Sequence, residues 1–561
     1  MSELETQEKK PMSLGRRAFL IGSTAVVGGV AFGVYAIRRP HPNPLLDGLR
    51  EGEAALTPFV KIDANGVTLI TPRADKGQGS LSLQAHLIAE ELDVDPHTVT
   101  LDFGQPAPVY YNTALADGGA PFPAWDQSWT AETMRSVVDV PMKLMGMQMT
   151  GGSTTTPDMF VRMRQAGAVA RETLKKAASK KTGTPVADLK TKDGAVVLPG
   201  GGTIPYSELA SLAAQTSPVN NVALRDPSEW RYLGRPMKRV DMLQKSTGQQ
   251  SYGIDLRFEN MLHATVRTNP GLGGKMESYD ASKAKEMRGV KAIGEITNGV
   301  AVLADNTWRA FQAANAIEFK WGPAPYPATS QEMWQTLADT VENPDTLDTR
   351  NRDDGDVETV LRDGEVLSAE YRVPYLSHAP MEPMNATVLI GEDRIDIWTG
   401  TQIPAFVQQH TAQLTGYAEE AVFVHNQPMG GSFGRRLEDT YVLQAVEAAM
   451  LAKGTPVKMT WSREEDMTHD YPRPMQLARA RGTVKDGRVE CLDLDSCGAS
   501  LTRSWFGRLM GAPPGPDAML VAGAADQPFS IPNYRVSGYV APEMVPVSSW
   551  RAPGSNNNGF F

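Results

Sequence analysis

The chain has 561 residues, enough for about three or four domains, and its 41% hydrophobic and 21% charged content excludes wholesale disorder as well as a single small module. With 55 basic against 65 acidic residues the formal charge is −10 and no basic stripe is present, which excludes a nucleic-acid binder, since phosphate contacts need clustered Lys and Arg. Two cysteines, Cys491 and Cys497, cannot supply four ligands to an iron–sulfur cluster or a structural zinc ion, and the eight histidines hold no His-x-x-x-His pair, so a metal carried inside an organic cofactor is the remaining kind.

Near the amino end Arg16-Arg17 is followed by Phe19-Leu20, and residues 18–37 carry no charge. At ~1.5 Å per residue this run makes a helix of about 30 Å, one bilayer core. Twin arginines ahead of an apolar run have the pattern of the export route that carries already folded proteins. No clear Ala-x-Ala site follows, and Arg38-Arg39 come directly after, which predicts that the segment stays as an anchor. Residues 1–45 are therefore read as signal, anchor and the stiff spacer His41-Pro42-Asn43-Pro44.

A first globular unit is expected over 56–225. Residues 59–62 and 67–70 flank a turn containing Asn65-Gly66, a hairpin signal. Gly77-Gln78-Gly79 then precedes a helix whose Leu81, Ala85, Ile88 and Leu92 share one face. A long helix is predicted from Thr156 as cap, with Pro157 in its first turn, to about Lys181. Lys192-Asp193-Gly194-Ala195 reads as another hairpin. A second unit over 235–325 contains apolar runs at 262–266 and 300–304 and a helix over 308–316, and Gly322 opens its Pro-rich boundary. Residues 343–356 read as a polar link. The last unit, 365–561, joins a strand at 394–398, a helix over 437–453 and a hairpin at Lys485-Asp486-Gly487-Arg488. Helices and strands interspersed without a strict βαβ period predict an α+β fold, with no internal repeat.

Four small-residue motifs stand out: Gly77-Gln78-Gly79; Gly151-Gly152-Ser153-Thr154-Thr155; Gly430-Gly431-Ser432-Phe433-Gly434; and Trp550-Arg551-Ala552-Pro553-Gly554. Glycine lets backbone N–H groups approach a ligand, and consecutive free amides form anion-binding concavities. Each motif alone is weak, because Gly-rich turns are usually only turns. No P-loop ending, no G-x-S-x-G elbow and no G-x-G-x-x-G after a strand is present, so P-loop phosphate chemistry and serine hydrolysis are not expected.

In this order the motifs resemble the large, molybdopterin-binding subunit of xanthine-oxidase-type molybdenum hydroxylases. The likeness is to the group of isoquinoline 1-oxidoreductase beta subunits and membrane-associated aldehyde dehydrogenases. It runs from about Leu56 to Phe561 and is most specific at 375–386 (Tyr-Leu-Ser-His-Ala-Pro-Met-Glu-Pro-Met-Asn-Ala), 429–436 and 550–555. Residues 244–321 resemble the family's α/β hammerhead domain.

The resemblance implies a molybdenum–molybdopterin cofactor, in its cytosine dinucleotide form, held without protein metal ligands. Gln402 matches the glutamine that faces the apical oxo ligand. Phe433 and Gly434 match the loop beneath the metal, and Arg551 and Ala552 a loop close to pterin and metal. These matches give Gln402, Phe433, Gly434 and Arg551 the catalytic positions. Cofactor binding falls to Gly77, Gln78, Gly79, Gly152, Ser153, Thr154, Thr155, Gly430, Gly431 and Ser432, together with Phe433, Gly434, Arg551 and Ala552. His378, Glu382 and Asn385 are expected to be structural.

The implied reaction is hydroxylation of an electron-poor carbon in an N-heterocycle or an aldehyde, with water as oxygen source and a glutamate as general base. In relatives that glutamate follows the arginine loop, beyond Phe561, and the apolar ending suits a fragment. Electrons would pass to a small subunit carrying two [2Fe–2S] clusters, then to a cytochrome c or a membrane acceptor, and the complex would be periplasmic. Leu437 stands where purine-oxidising relatives have a carboxylate, with Glu438 adjacent, and Pro553 where they have an aromatic, which argues against purines. Two other readings remain: an exported scaffold of the same fold without turnover, and a flavin- or quinone-linked dehydrogenase.

Overall fold

A computed structural model describes residues 40–117, 126–511 and 516–561. The twin-arginine segment lies outside the described residues. Among the described residues no helix is long and apolar enough to cross a membrane. Helices and strands are mixed throughout, and the α+β expectation holds.

The first unit packs the helices Ser80–Leu92 and Thr155–Thr182 against a four-stranded sheet of Ala54–Thr57, Val60–Asp63, Gly66–Ile70 and Thr100–Asp102. The predicted hairpin is there, with Asp63 paired to Gly66. The two helices touch at Gly167, where a Cβ would lie 3.0 Å from the Glu91 side chain and would collide with the Ile88 carbonyl. The long helix begins at Thr155, two residues before Pro157, and not after a Thr156 cap. Thr154 takes the cap position without capping, because its hydroxyl turns back to the Gly151 carbonyl at 2.7 Å.

Beneath this start lies a buried ion pair between Arg73 and Asp158. The Arg73 guanidinium also donates to the carbonyls of Tyr110 (2.8 Å) and Tyr111 (2.6 Å), while Asp158 accepts from the Thr113 amide (3.1 Å). These bonds fix the strand end at 71–75, the loop at 110–113 and the helix start as one block.

Segments from the expected second and last units share a seven-stranded sheet. Its spatial order is Val290–Ile296, Gly299–Ala304, Leu262–Thr268, Val457–Thr460, Asn385–Ile390, Ile395–Thr399, Val422–Asn426. Val457–Thr460 runs parallel to Leu262–Thr268 and antiparallel to Asn385–Ile390, and is buried along its length. The helix Thr440–Met450 covers one face with Val442, Ala445 and Ala449. This helix is shorter than the 437–453 expected; Arg435–Leu437 forms a separate 3-10 turn in front of it.

A five-stranded sheet follows, ordered Leu347–Asp354, Asn533–Ala541, Arg488–Ala499, Gln476–Lys485, Leu367–Val373. Its edge corrects the reading of 343–356 as a link: Leu347–Asp354 is a strand, paired antiparallel to Asn533–Ala541. Polar on both faces, it carries no apolar alternation to reveal it. The hairpins at Asp193-Gly194 and Asp486-Gly487 close as predicted, with both residues of each turn left-handed.

Candidate functional site

The four motif loops come together through side chains and backbone. Gln402 is at the centre, in the turn between the strand Ile395–Thr399 and the helix Pro404–Thr415, and only 1% exposed. Its Nε2 donates to the Thr150 carbonyl and its Oε1 accepts from the Ser432 hydroxyl. Its backbone accepts from the Thr150 amide and donates to the Arg436 carbonyl, both at 2.9 Å. Thr150 continues the line: its hydroxyl accepts from the Ala74 amide at 3.0 Å. The Ala74 carbonyl in turn accepts from Gln78 Nε2 at 2.9 Å. Gln78, Thr150, Gln402 and Ser432 thus form one hydrogen-bonded series, through the Ala74 backbone, across four segments separated in sequence.

From Ser432 the loop passes to Phe433 and Gly434 and meets the arginine loop. A Cβ on Gly434 would fall on the Ser549 carbonyl oxygen, 2.7 Å from its carbon and 3.1 Å from His378 Nε2. Only a glycine backbone fits against the residue that leads into Trp550 and Arg551. Behind this contact Asp470 gathers three segments. It accepts from the His378 amide, from His378 Nδ1 (2.8 Å) and from the Ser377 hydroxyl (2.7 Å), and it pairs with Arg435 Nε (3.1 Å). His378 Nε2 faces the Ser549 carbonyl at 3.2 Å. The Arg435 guanidinium carbon lies over the rings of Trp461 (5.3 Å) and Tyr471 (5.5 Å). Burial alone would raise the Asp470 carboxyl, but the hydrogen bonds and charges of His378 and Arg435 outweigh it and hold the group below its ordinary range. Glu382 is likewise consumed. Its two oxygens accept from the Gly430 amide and Arg436 Nη2, each at 2.8 Å, and from the Ile254 amide (3.1 Å) and Asn385 (3.0 Å). His378, Glu382 and Asn385 hold the loops in place, in keeping with the structural role expected of them.

The loops are strained where they meet. Nine non-glycine residues have positive φ among the described residues; six are Asp, Asn or Ser, which tolerate that conformation through local hydrogen bonds. The other three are Ala379 (φ 42°), Phe433 (57°) and Ala552 (55°). All three belong to the motifs around Gln402, where backbone strain of about 1–3 kcal/mol each is the kind concentrated at ligand sites. Phe433 is 38% exposed, so its ring forms part of the open face. The N–H groups of Phe433, Gly434, Arg551 and Ala552 donate to no partner among the described residues, leaving a row of free amides in facing loops.

Other candidates fall unevenly. The Thr154 hydroxyl is spent on Gly151 and on Asn112 Nδ2 (2.7 Å), whereas Ser153 and Thr155, the other two hydroxyls expected at that site, stay open, as does Thr156 beside them. Ser153 itself is left-handed at φ 59°. Gln78 is exposed, but its amide bonds to its own loop, including the Lys76 N–H at 2.8 Å. Burial pushes the Lys76 ammonium down to about 8 against the pull of Asp75, which sets a poorly solvated cation in the Gly-Gln-Gly loop. Arg551 is exposed and without an ion pair among the described residues. Glu438 is excluded as a substitute for the carboxylate missing at Leu437: it is buried and paired with Arg508 Nη2 at 2.6 Å. Sequence reasoning missed Thr150 and Asp470, a lone threonine and a lone aspartate whose importance comes only from what they bridge. Among the described residues no cluster of His, Cys, Asp and Glu could hold a metal ion directly.

The comparisons agree with the resemblance read from the motifs. Residues 340–561 match the molybdopterin cofactor-binding domain family. Isoquinoline 1-oxidoreductase subunit beta of Brevundimonas diminuta is 26% identical over 556 residues, covering 90% of this chain and 67% of that protein. The membrane-bound aldehyde dehydrogenase (pyrroloquinoline-quinone) of Gluconacetobacter polyoxogenes is 27% identical over 494 residues, 84% of this chain and 59% of that one. The chain therefore spans from 59% to 67% of the length of these two relatives. Among solved structures, quinoline 2-oxidoreductase from Pseudomonas putida 86 aligns with 56% of this chain and 45% of its own at 18% identity and a TM-score of 0.43.

Proposed function

We propose that this chain is the molybdopterin-binding part of the large subunit of a molybdenum hydroxylase that oxidises an N-heterocycle or an aldehyde. One observation carries the reading: the series Gln78–Thr150–Gln402–Ser432 ends at Phe433 and Gly434, where strained loops face each other with free amides. Such a row suits a group rich in oxygen acceptors and phosphate, as a pterin that brings its own metal is.

The amides of Phe433, Gly434, Arg551 and Ala552 would hold the oxygen-bearing face of the cofactor, with Gln402 behind them. Gln78, Lys76, Ser153 and Thr155 would hold the pterin and its phosphate, the last two at a helix amino terminus that favours anions. When bound, the cofactor supplies hydroxylation of an electron-poor carbon with oxygen from water. This chain's share is to fix the loops, to offer donors that need not reorganise, and to present the Phe433 ring to a flat substrate. The cytosine dinucleotide form, a small iron–sulfur subunit as electron acceptor and periplasmic export by the twin-arginine leader belong to the same reading. The subunit names of the relatives support a partner subunit, and Arg16-Arg17 ahead of the uncharged run supports the export reading.

The test is purification of the protein from its full reading frame, followed by molybdenum and pterin analysis. Close to one equivalent of each is expected; less than about a tenth of an equivalent in a folded protein would favour the scaffold reading, and flavin or quinone absorbance would favour the third.

A further inference from the structure

The helix Trp129–Leu144 has its sides reversed. A surface helix normally turns its apolar stripe inward and its charges to water. At 3.6 residues per turn, Trp129, Met134, Val137, Val140 and Leu144 fall within an arc of about 140° that holds no charge. Glu132, Arg135, Asp139 and Lys143 share a narrower arc on the other side. Yet the apolar arc faces out: Trp129 is 81% exposed, Val137 60% and Leu144 52%. Arg135, Asp139 and Lys143 are half-buried, with Ala131 and Met142 on the packed side.

The place where the chain enters gives this face its partner. His41 Nε2 lies 2.9 Å from the Lys143 carbonyl, and its ring centre is 5.6 Å from that of Tyr111. Residue 41 is therefore fastened to the carboxyl end of the reversed helix. Just ahead of it in sequence come Arg38-Arg39 and the uncharged run 18–37. Four residues reach at most about 14 Å, so the end of that run is never far from Leu144. If the run is seated in a bilayer, the apolar arc is held at the same surface. A helix with an apolar face and an end tryptophan suits the zone between head groups and acyl chains.

We propose that the Trp129–Val137–Leu144 face lies on a lipid surface. The proposal rests on reading 18–37 as an anchor and is independent of the molybdenum reading.

The full-length protein is tested as three variants, Val137→Cys, Leu144→Cys and Glu132→Cys, each carrying an environment-sensitive fluorophore on the new thiol. The native Cys491 and Cys497 are buried and do not compete for the label. Each is mixed with phosphatidylethanolamine–phosphatidylglycerol vesicles, with and without brominated acyl chains, and vesicle binding is followed separately by flotation. Emission at 137 and 144 should rise ~2-fold or more and be quenched by bromine, with position 132 unchanged. Flotation without any change at 137 and 144 overturns the docking face while leaving the anchor reading intact. Absence of flotation overturns both. Labels at 137 and 144 already bright without vesicles, and indifferent to them, would mean that a protein surface covers the face, which also overturns the proposal.

Discussion

Gly434→Ala isolates the contact between the two loops at the heart of the site. The methyl group would land on the Ser549 carbonyl oxygen, and the backbone sits at φ 119°, where an L side chain is strained. The left-handed conformation costs about 1–2 kcal/mol, and forcing the loops apart adds about 1–3 kcal/mol, so the variant should lose about 2–5 kcal/mol of stability. Gly454→Ala is the control: its φ is 80° and nothing lies within 4 Å of the new methyl group, so only the conformational part remains, about 1–2 kcal/mol. Urea unfolding of both variants beside the parent measures the difference. The parting of Phe433 from Trp550 should also lower molybdenum and pterin content in Gly434→Ala and not in Gly454→Ala. Equal destabilisation of the two, within about 0.5 kcal/mol, would refute the packing argument, and unchanged cofactor content would refute the link to the site.

Asp158→Ala leaves the buried Arg73 without its counter-charge and should cost about 3–5 kcal/mol in urea unfolding; a loss below about 1 kcal/mol would show that the pair does not organise the helix start. Gln402→Ala removes two side-chain hydrogen bonds and strands the Ser432 hydroxyl and Thr150 carbonyl, so about 2–4 kcal/mol should be lost, with cofactor content falling alongside; full retention of both would place Gln402 outside the framework. The hydrogen bond to Asp439 raises His410 above its ordinary 6.5 against the opposing effect of burial. A raised value means stabilisation that is complete below about pH 6.5 and fades as the pH climbs through the folded value. Urea midpoints of the parent should therefore decline above pH 6.5 more steeply than those of His410→Asn; parallel profiles would contradict the assignment.

Local features were legible in the sequence. The two Asp-Gly hairpins depend on neighbours within a few residues, and they formed as expected; of the helix face expected from Leu81, Ala85, Ile88 and Leu92, the last three reach the core while Leu81 stays outside it, because the helix is buried nearly all round and not on one side. The Thr156 cap failed for a local reason of another kind: Thr154 stands two residues earlier, and its hydroxyl is drawn to the Gly151 carbonyl. The strand Leu347–Asp354 failed for a distant one. It is exposed on both faces and exists because Asn533–Ala541 pairs with it, and neither periodicity nor turn residues signal such a partner. At the site the small-residue motifs were visible because close backbone approach requires small residues. Thr150 and Asp470 were not, since ordinary residues become junctions only after the loops have met. The left-handed Ala379 and Ala552 were hidden for the opposite reason, as alanine is the last residue one would choose for that conformation.

The order in which the seven-stranded sheet acquires its strands bears on the birth of the protein. Val457–Thr460 is wedged between Leu262–Thr268 and Asn385–Ile390, so during translation both neighbours emerge with a gap between them that only a later stretch can fill. Until then each exposes an unpaired edge, the condition under which nascent chains stick to one another. A cell making this polypeptide must therefore keep those two open edges away from other chains until residue 460 has emerged to close them.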